Sequence, residues 1–318
     1  MQLSDIYQFC VKEGMAQDSR TKKEVAKKIV LTKGAYRKLP STEKKFFDKE
    51  SLRNPYADTR ILFGASNTPV KRILVGIDIG VGEVLLADRL SSKGKKIDLI
   101  ISHHPLGDAL AGLYDVMDLQ ADLLTRLGIE ESIASSLMKK RIGEVERSLH
   151  SSNHQRVVDA AKSLGIPLMC CHTAADNHVA TYLQKRMDKQ KPKTLQRVVD
   201  LLLKEPEYKL AAAKKAGPKI LVGKPTCSPK KIVLDMTGGT EGSKEVFARL
   251  SQAGVKTLIG MHMSENHLKK VKDEHLHVVI AGHIASDNLG LNLLFDKLIK
   301  KDKGLEILEC SGFRRVKR

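Results

Sequence analysis

The sequence predicts an α/β protein with largely parallel strands, preceded by a helical segment. Two observations carry this. From about residue 68 onward, short β-branched runs alternate with stretches of helical spacing, the pattern of strand–helix units whose strands pair in parallel. Both parts of that region also lead to a strand that ends on a histidine, which hints at a duplicated core although no clean sequence repeat is visible.

Residues 1–60 differ from the rest. They are rich in Lys and carry helical spacing in MQLSDIYQFCVKEGMAQ. Asp18-Ser19 offers a start for a second helix, and Pro40-Ser41-Thr42-Glu43 a stop followed by a new cap. The segment holds no chemical constellation and reads as an extension that packs on a core or on a neighbouring subunit. VKRILVGID (70–78) is then a strand, and VGEVLLADRLSSKG (81–94) a helix that stops at Gly94. KIDLIISHHP (96–105) is a second strand, residues 106–126 one long amphipathic helix, and helical spacing continues to about 149. HQRVVDAAKSLG (154–165) is a further helix, and IPLMCCHTAAD (166–176) a strand running into a loop. TLQRVVDLLLKEP is a helix, KKIVLDMTGG (230–239) a strand, and SKEVFARLSQAG the helix after its Gly/Thr/Ser loop. VKTLIGMH (255–262) and LHVVIAGH (276–283) are strands, NLGLNLLFDKLIKK (288–301) a helix and GLEILECSG (304–312) the last strand.

Composition narrows the function. Hydrophobic residues make up 42% of the 318, enough for a sizeable core, and no apolar run approaches the roughly 20 residues of a membrane span. The first residues carry early charges and no apolar signal region, so a cytoplasmic location is expected. The five cysteines include no CxxC, which argues against a disulfide framework and a structural zinc site; Cys170 and Cys171 read as buried strand residues. The formal charge of +18 favours an anionic partner such as a nucleotide, phosphate ester or nucleic acid. Yet the basic residues are spread along the chain and interleaved with acids, aromatics are only 4%, and no nucleic-acid-binding signature stands out. A solvated basic surface is the simpler reading.

Chemistry concentrates at three strand ends: Ser102-His103-His104-Pro105, His172-Thr173-Ala174-Ala175-Asp176, and Gly282-His283-Ile284-Ala285-Ser286-Asp287. Ligands of open α/β sheets gather at the carboxyl ends of strands. Histidine with carboxylate is the donor set of zinc, iron or manganese. His283 and Asp287 are four apart and meet at a helix N-terminus if the helix starts near Ser286. Asp176 offers two oxygens that could bridge two ions. Neighbours in a regular strand point to opposite faces, so His103 and His104 suit two ions better than one. Each piece alone has a bland alternative: a surface pair for His103 and His104, a structural hydrogen bond for His172. The Gly-rich loop after Asp235 is no Walker motif and reads as a tight turn slightly better than as an anion cradle. His262 is placed to line the same cleft, whereas His267, His275 and His277 look solvent-facing.

DLIISHHP, HTAAD and AGHIASD, in this order, resemble the three signatures of the Nif-three-like dinuclear metal-centre proteins, also described as the type 2 GTP cyclohydrolase I family. The likeness covers roughly residues 55–318 and includes VKRILVGIDIGVGEVLLA ahead of the HHP motif. It implies a fold of two related, intertwined α/β halves with mixed sheets, here about 61–190 and 191–318, and metals in the cleft between them. It implies two divalent ions (Zn, Fe or Mn) on His103, His104, Asp176, His283 and Asp287. The family usually has Glu where this chain has Asp287, one methylene shorter. His172 matches the family's HT motif and is expected beside the ligands, as a proton-carrying catalytic group, rather than on an ion. The stretch from about 190 to 230 is too short for the inserted domain of many members. Members form ring-like hexamers, so a homo-oligomer is expected.

The function expected from these pieces is a metal-dependent hydrolase acting on a nucleotide-like substrate, as a cyclohydrolase or phosphoesterase, with water made nucleophilic between two ions. The alternative is a non-enzymatic metal-binding oligomer with a regulatory, metal-handling or nucleic-acid-binding role.

Overall fold

The computed structural model describes residues 1–318. It opens with α1 (Leu3–Ala16), α2 (Lys22–Lys38), α3 (Ser41–Lys44) and a 3-10 turn (Lys49–Leu52). The second helix begins after Asp18-Ser19, at a Thr21 cap whose hydroxyl accepts from Glu24 N–H while the Glu24 carboxylate accepts from Thr21 N–H. Asp18 is occupied instead with the Arg20 guanidinium and the Tyr56 hydroxyl.

The first sheet uses β1 (Thr59–Phe63), β2 (Arg72–Gly76), β3 (Leu99–Ser102) and β4 (Leu168–Cys171), with α4 (Val81–Ser92) after β2. Between β3 and β4 lie α5 (Gly107–Ala111), α6 (Leu113–Val116), α7 (Asp118–Arg126), α8 (Glu131–Leu149) and α9 (Arg156–Ser163). The single helix expected over 106–126 is therefore three short ones. The first break is Gly112, a weak helix former that ends α5 and begins α6. After β4 comes α10 (Thr173–Gln190), so HTAAD is a helix start and not the expected loop.

The second sheet follows α11 (Leu195–Leu202) and α12 (Pro206–Ala213). It contains β5 (Lys219–Val222), β6 (Lys231–Asp235), β7 (Val255–Gly260) and β8 (His277–Ile280), with α13 (Val246–Gln252) and α14 (Glu265–Asp273) between them. Then α15 (His283–Lys301) leads to β9 (Glu306–Glu309), which returns to the first sheet beside β2. The edge strands β1 and β5 and the helices α12 and α14 are not apparent in the sequence. Both edge strands are mostly half-buried, and α14 buries only Val271, so neither shows a strong apolar period.

The sheets run β1-β4-β3-β2-β9 and β5-β8-β7-β6. In each, one antiparallel edge strand joins strands that are otherwise parallel. The order is the same in both if β1, β2, β3 and β4 are matched with β5, β6, β7 and β8. On that match α10 corresponds to α15, and HTAAD to HIASD: each is His-x-x-x-Asp at the start of a helix leaving a parallel strand. The duplication hinted at by histidine-ended strands is thus visible in topology.

Alternate strand residues supply opposite faces. Ile73 and Val75 pack with Leu3 and Ile6 of α1 and Leu294 and Phe295 of α15, whereas Leu74 packs with Val84 of α4 and Val158 of α9. In the second sheet, Ile259 and Val279 face Leu183 of α10 and Leu289 of α15, and Leu258 and Val278 face Met138 of α8 and Phe247 of α13. The α10–α15 pair is therefore sandwiched between the two sheets. It crosses at contact distance because residue 290 is glycine: a Cβ there would lie 2.6 Å from the Ala175 carbonyl oxygen. On its other side, Ala174 fills the space left by Gly14 of α1, where an added Cβ would lie 2.7 Å away. The two alanines of HTAAD are the small residues that let three helices meet. The N-terminal segment packs on the core through α1, one of the two positions expected for it.

Candidate metal centre

Strand β3 stays bonded to the chain leaving β2 beyond its formal end, with His103 N–H on the Gly76 carbonyl and His104 N–H on that of Ile77. Pro105 then takes the chain out of the sheet. The two rings do not point to opposite faces, as a regular strand would require. They lie 5.4 Å apart at their centroids and bring both Nε2 atoms to one cleft. The strand has already broken there, which removes the alternation.

Across the cleft stand the first turns of α10 and α15. His103 Nε2 is 3.4 Å from Asp176 Oδ1 and 3.5 Å from Asp287 Oδ1. His104 Nε2 is 3.5 Å from Asp287 Oδ2. His172 Nε2 lies 3.7 Å from Asp176 Oδ2, and His283 Nε2 the same distance from Asp287 Oδ2. Asp176 turns its two oxygens to different histidines, His103 and His172, as expected of a shared carboxylate, and Asp287 does the same, Oδ1 to His103 and Oδ2 to His104 and His283. Both acids sit near the N-terminal ends of their helices. Starting α15 at His283 and not near Ser286 brings Asp287 within reach despite its short side chain.

The far ring nitrogens are fixed. His103 Nδ1 bonds the Cys171 carbonyl at 3.0 Å, His104 Nδ1 meets Asp78 at 2.6 Å, and His172 Nδ1 meets Asp58 at 2.9 Å. A carbonyl or carboxylate only accepts, so each Nδ1 donates and each Nε2 presents its lone pair to the cleft. Asp58 is fully buried and also accepts from the Thr173 hydroxyl at 2.6 Å.

Five buried atoms at the centre have no hydrogen-bond partner: Nε2 of His103 and His104, Oδ1 of Asp176, and both oxygens of Asp287. Leaving such groups unsatisfied is expensive. Two ligands each about 2.1 Å from one tetrahedral ion lie roughly 3.4 Å apart, which matches the spacings between these atoms. Three sets of donor atoms converge to within 4.8 Å: His103, His104 and His172; His104, His283 and Asp287; and His103, Asp176 and Asp287. The residues present fit a divalent ion. All five ligands expected from the sequence meet here, and His172 joins them, where it was expected to stand beside them.

The electrostatics agree. Burial depresses His103, but the Asp287 and Asp176 carboxylates outweigh it and raise its pKa well above the usual range. Burial likewise depresses His104, and Asp287 and Asp78 together more than offset it, so its pKa is raised. Burial pushes Asp287 up, and the facing histidines, His103 foremost, more than reverse this and hold it well below the usual carboxylate range. A cluster this short of cations draws positive charge.

The wall nearest His283 holds a second polar group. The His262 ring is 4.9 Å from that of His283 and its Nδ1 is 3.6 Å from Glu241. His262 follows β7 as His104 follows β3, so it is the counterpart of His104. Burial raises Glu241, but His262 and the Ser264 N–H, at 2.7 Å, hold it at about 2. His267 is not the solvent-facing residue expected: its Nε2 donates to the Gly242 carbonyl at 3.1 Å and its Nδ1 accepts from the Ser264 hydroxyl at 2.8 Å. The Gly-rich loop carries Glu241 to this wall. Gln120 of α7 pins it through the carbonyls of Gly238 and Thr240, in keeping with a turn. Asp58, Asp78 and Glu241 escape a reading of the sequence because each lies far along the chain from the histidine it holds.

Fold and cluster together define a metal-binding α/β protein. Comparisons with models of known families and with curated proteins found no match. Solved structures do match. A NIF3 superfamily protein from Sphaerobacter thermophilus is similar with 26% identity and a TM-score of 0.70, over 82% of this chain and 94% of that one. Reduced HcgD from Methanocaldococcus jannaschii is similar at 15% identity and TM-score 0.48, over 83% and 93%. A Bacillus cereus protein related to NIF3 matches at 11% and 0.44, over 80% and 91%. The chain has the fold of the NIF3 superfamily protein it most resembles among these three and is similar to it along most of its length. No helix is long and apolar enough to cross a membrane.

Proposed function

We propose that the chain is a metal-dependent hydrolase whose cluster holds two divalent ions. The observation that carries this is the set of five unpartnered buried atoms converging at ion-sharing distances. His103, His104, His172, Asp176, His283 and Asp287 would hold the ions, shared among the three overlapping donor sets. The imidazole and carboxylate donors suit zinc, iron or manganese. When bound, such a pair lowers the pKa of water and polarises an electrophile. The chain does the rest. Asp58, Asp78 and the Cys171 carbonyl keep the three imidazoles in one tautomer and orientation. His172, tied at both nitrogens, is a ligand in this scheme. Its expected part as proton carrier passes to His262, half-exposed on the cleft, whose pKa the facing Glu241 carboxylate raises.

A nucleotide substrate is a finer reading that rests on the net charge of +18. No Lys or Arg lines the cleft, so phosphates there would depend on the ions and two helix N-termini alone. We therefore carry the hydrolase forward and leave the nucleotide as one class in its test. The ring-like hexamer implied by the family resemblance also stays a proposal, to be read by light scattering. Elemental analysis of purified protein should find about two equivalents of metal per chain. Chelation should then abolish turnover across a panel of esters, phosphodiesters and nucleotides. Turnover by a metal-free preparation would sink the hydrolase reading.

A further inference from the structure

The cleft does not end at the ligand cluster. It continues into a chamber of about 330 Å³, in the range of small-molecule pockets. His104, His172, Asp176 and His283 form its polar end. The opposite end is lined by Leu113 of α6, Leu124 of α7, Met138 of α8, Phe247 and Leu250 of α13, and Leu258 of β7. These helices flank the face of the second sheet away from α10 and α15, so the chamber is built by both halves of the chain. Between the two ends lie Asp235 and Glu241. Asp235 ends β6 and its carboxylate makes no hydrogen bond or ion pair; it faces Glu241, His262 and His267.

We propose that this chamber binds the apolar part of the substrate, an aryl or acyl group without negative charge, and so presents the bond to be hydrolysed to the ligand cluster. This rests on the hydrolase reading for what happens at the cluster, but not for the binding itself. Three observations carry it. First, Leu124, Met138, Phe247, Leu250 and Leu258 bring apolar side chains of both halves to one part of the lining, where an apolar group is removed from water. Second, no Lys or Arg reaches the chamber although the chain carries 55. An anionic group placed there, away from the ligand cluster, would meet Asp235 and Glu241, and the histidines beside them, His262 and His267, already face Glu241. That is discrimination by repulsion as well as by fit. Third, the apolar end opens onto donor atoms that converge at the other end. A void left by imperfect packing between the halves would need no such mouth.

The test uses full-length, metal-loaded protein and two matched probes. N-phenyl-1-naphthylamine is neutral, and 8-anilino-1-naphthalenesulfonate is the same skeleton with a sulfonate. Fluorescence titration should show saturable binding of the neutral probe, and binding of the sulfonate weaker by at least about tenfold. Met138→Trp, which fills the chamber, should remove neutral-probe binding while metal content stays unchanged. Leu113→Phe is the second filling variant if Met138→Trp does not fold. Asp235→Asn should narrow the gap between the probes. Equal affinity for the two probes, or neutral-probe binding that survives in a folded filling variant, overturns the proposal. Probe binding that behaves as expected in a protein without turnover removes the hydrolase reading and leaves the chamber assignment standing. Turnover of nucleotides in preference to neutral aryl esters, in a protein that binds no neutral probe, does the reverse.

Discussion

Asp58 holds one imidazole and the first hydroxyl of α10 in a site that water does not reach. His172 depends on it for tautomer and direction. Asp58→Asn should leave the chain folded yet weaken metal binding by roughly 10–100-fold, read by competition with a chromogenic chelator. Unchanged affinity would place His172 off the ions. His178, one turn further along α10, is a different case. Burial lowers its pKa to about 3 from 6.5, with Lys297 adding to the effect. Because the folded state holds it neutral while the unfolded state takes up a proton below about 6.5, its contribution is full above that pH. It is lost progressively as pH falls and is gone near 3. The slope is on the order of 1 kcal/mol per pH unit across that window. His178→Leu should flatten melting temperature against pH between those limits; an unaltered profile would show that other groups set the acid limit.

At the scale of elements, the centre is positioned by the crossing of α10 and α15. Gly290→Ala puts a methyl against the Ala175 carbonyl, where a Cβ has only 2.6 Å. Overpacking of this kind costs about 1–3 kcal/mol, and here it also moves the two aspartates apart. The expected outcome is a lowered denaturation midpoint together with a loss of metal affinity larger than that of an equally destabilising change in α4. Equal losses would mean that the crossing does not set the site. What the sequence discloses at this scale follows burial. Strands β2, β3, β7 and β8 are β-branched and largely buried, and their runs stand out. HTAAD and HIASD mislead about where their helices begin, because small and polar residues there serve the crossing and the cluster rather than an apolar period. The ligands are legible as His and Asp at strand ends in a known order; their supports are not, since contacts such as Asp58 with His172 exist only once the sheet is assembled.

For the whole molecule, folding and metal binding share one structure. Ions that bind only the assembled cluster should stabilise the fold, by about 2.7 kcal/mol at a hundredfold excess over Kd. A chelator should therefore lower the melting temperature of the native chain and leave that of His103→Ala unchanged. A drop of equal size in the variant would locate the effect away from the cluster. The N-terminal segment belongs to the same unit. Tyr56 donates to Asp18 at 2.7 Å, Asn177 of α10 donates to Tyr56 at 3.1 Å, and Thr237 donates to Asn177 at 2.7 Å. This buried relay runs from the opening helices to the loop beyond β6. The return of β9 to the first sheet ties the last residues to the same body.

The crossing at Gly290 and Ala175 also has an elastic consequence. Two backbones in contact, clamped between two sheets, form a stiff caliper whose jaws are Asp176 and Asp287. An ion too large for the gap cannot be accommodated by a side chain swinging out. It has to prise the helices apart and unpack Leu183, Leu289 and Leu294 with them. Selection among metals then reflects radius as well as donor chemistry, and the resistance comes from the core. Calcium, which takes oxygen ligands at 2.3–2.6 Å, is then expected to bind more weakly than an ion with bonds near 2.1 Å, as competition with a chromogenic chelator would show.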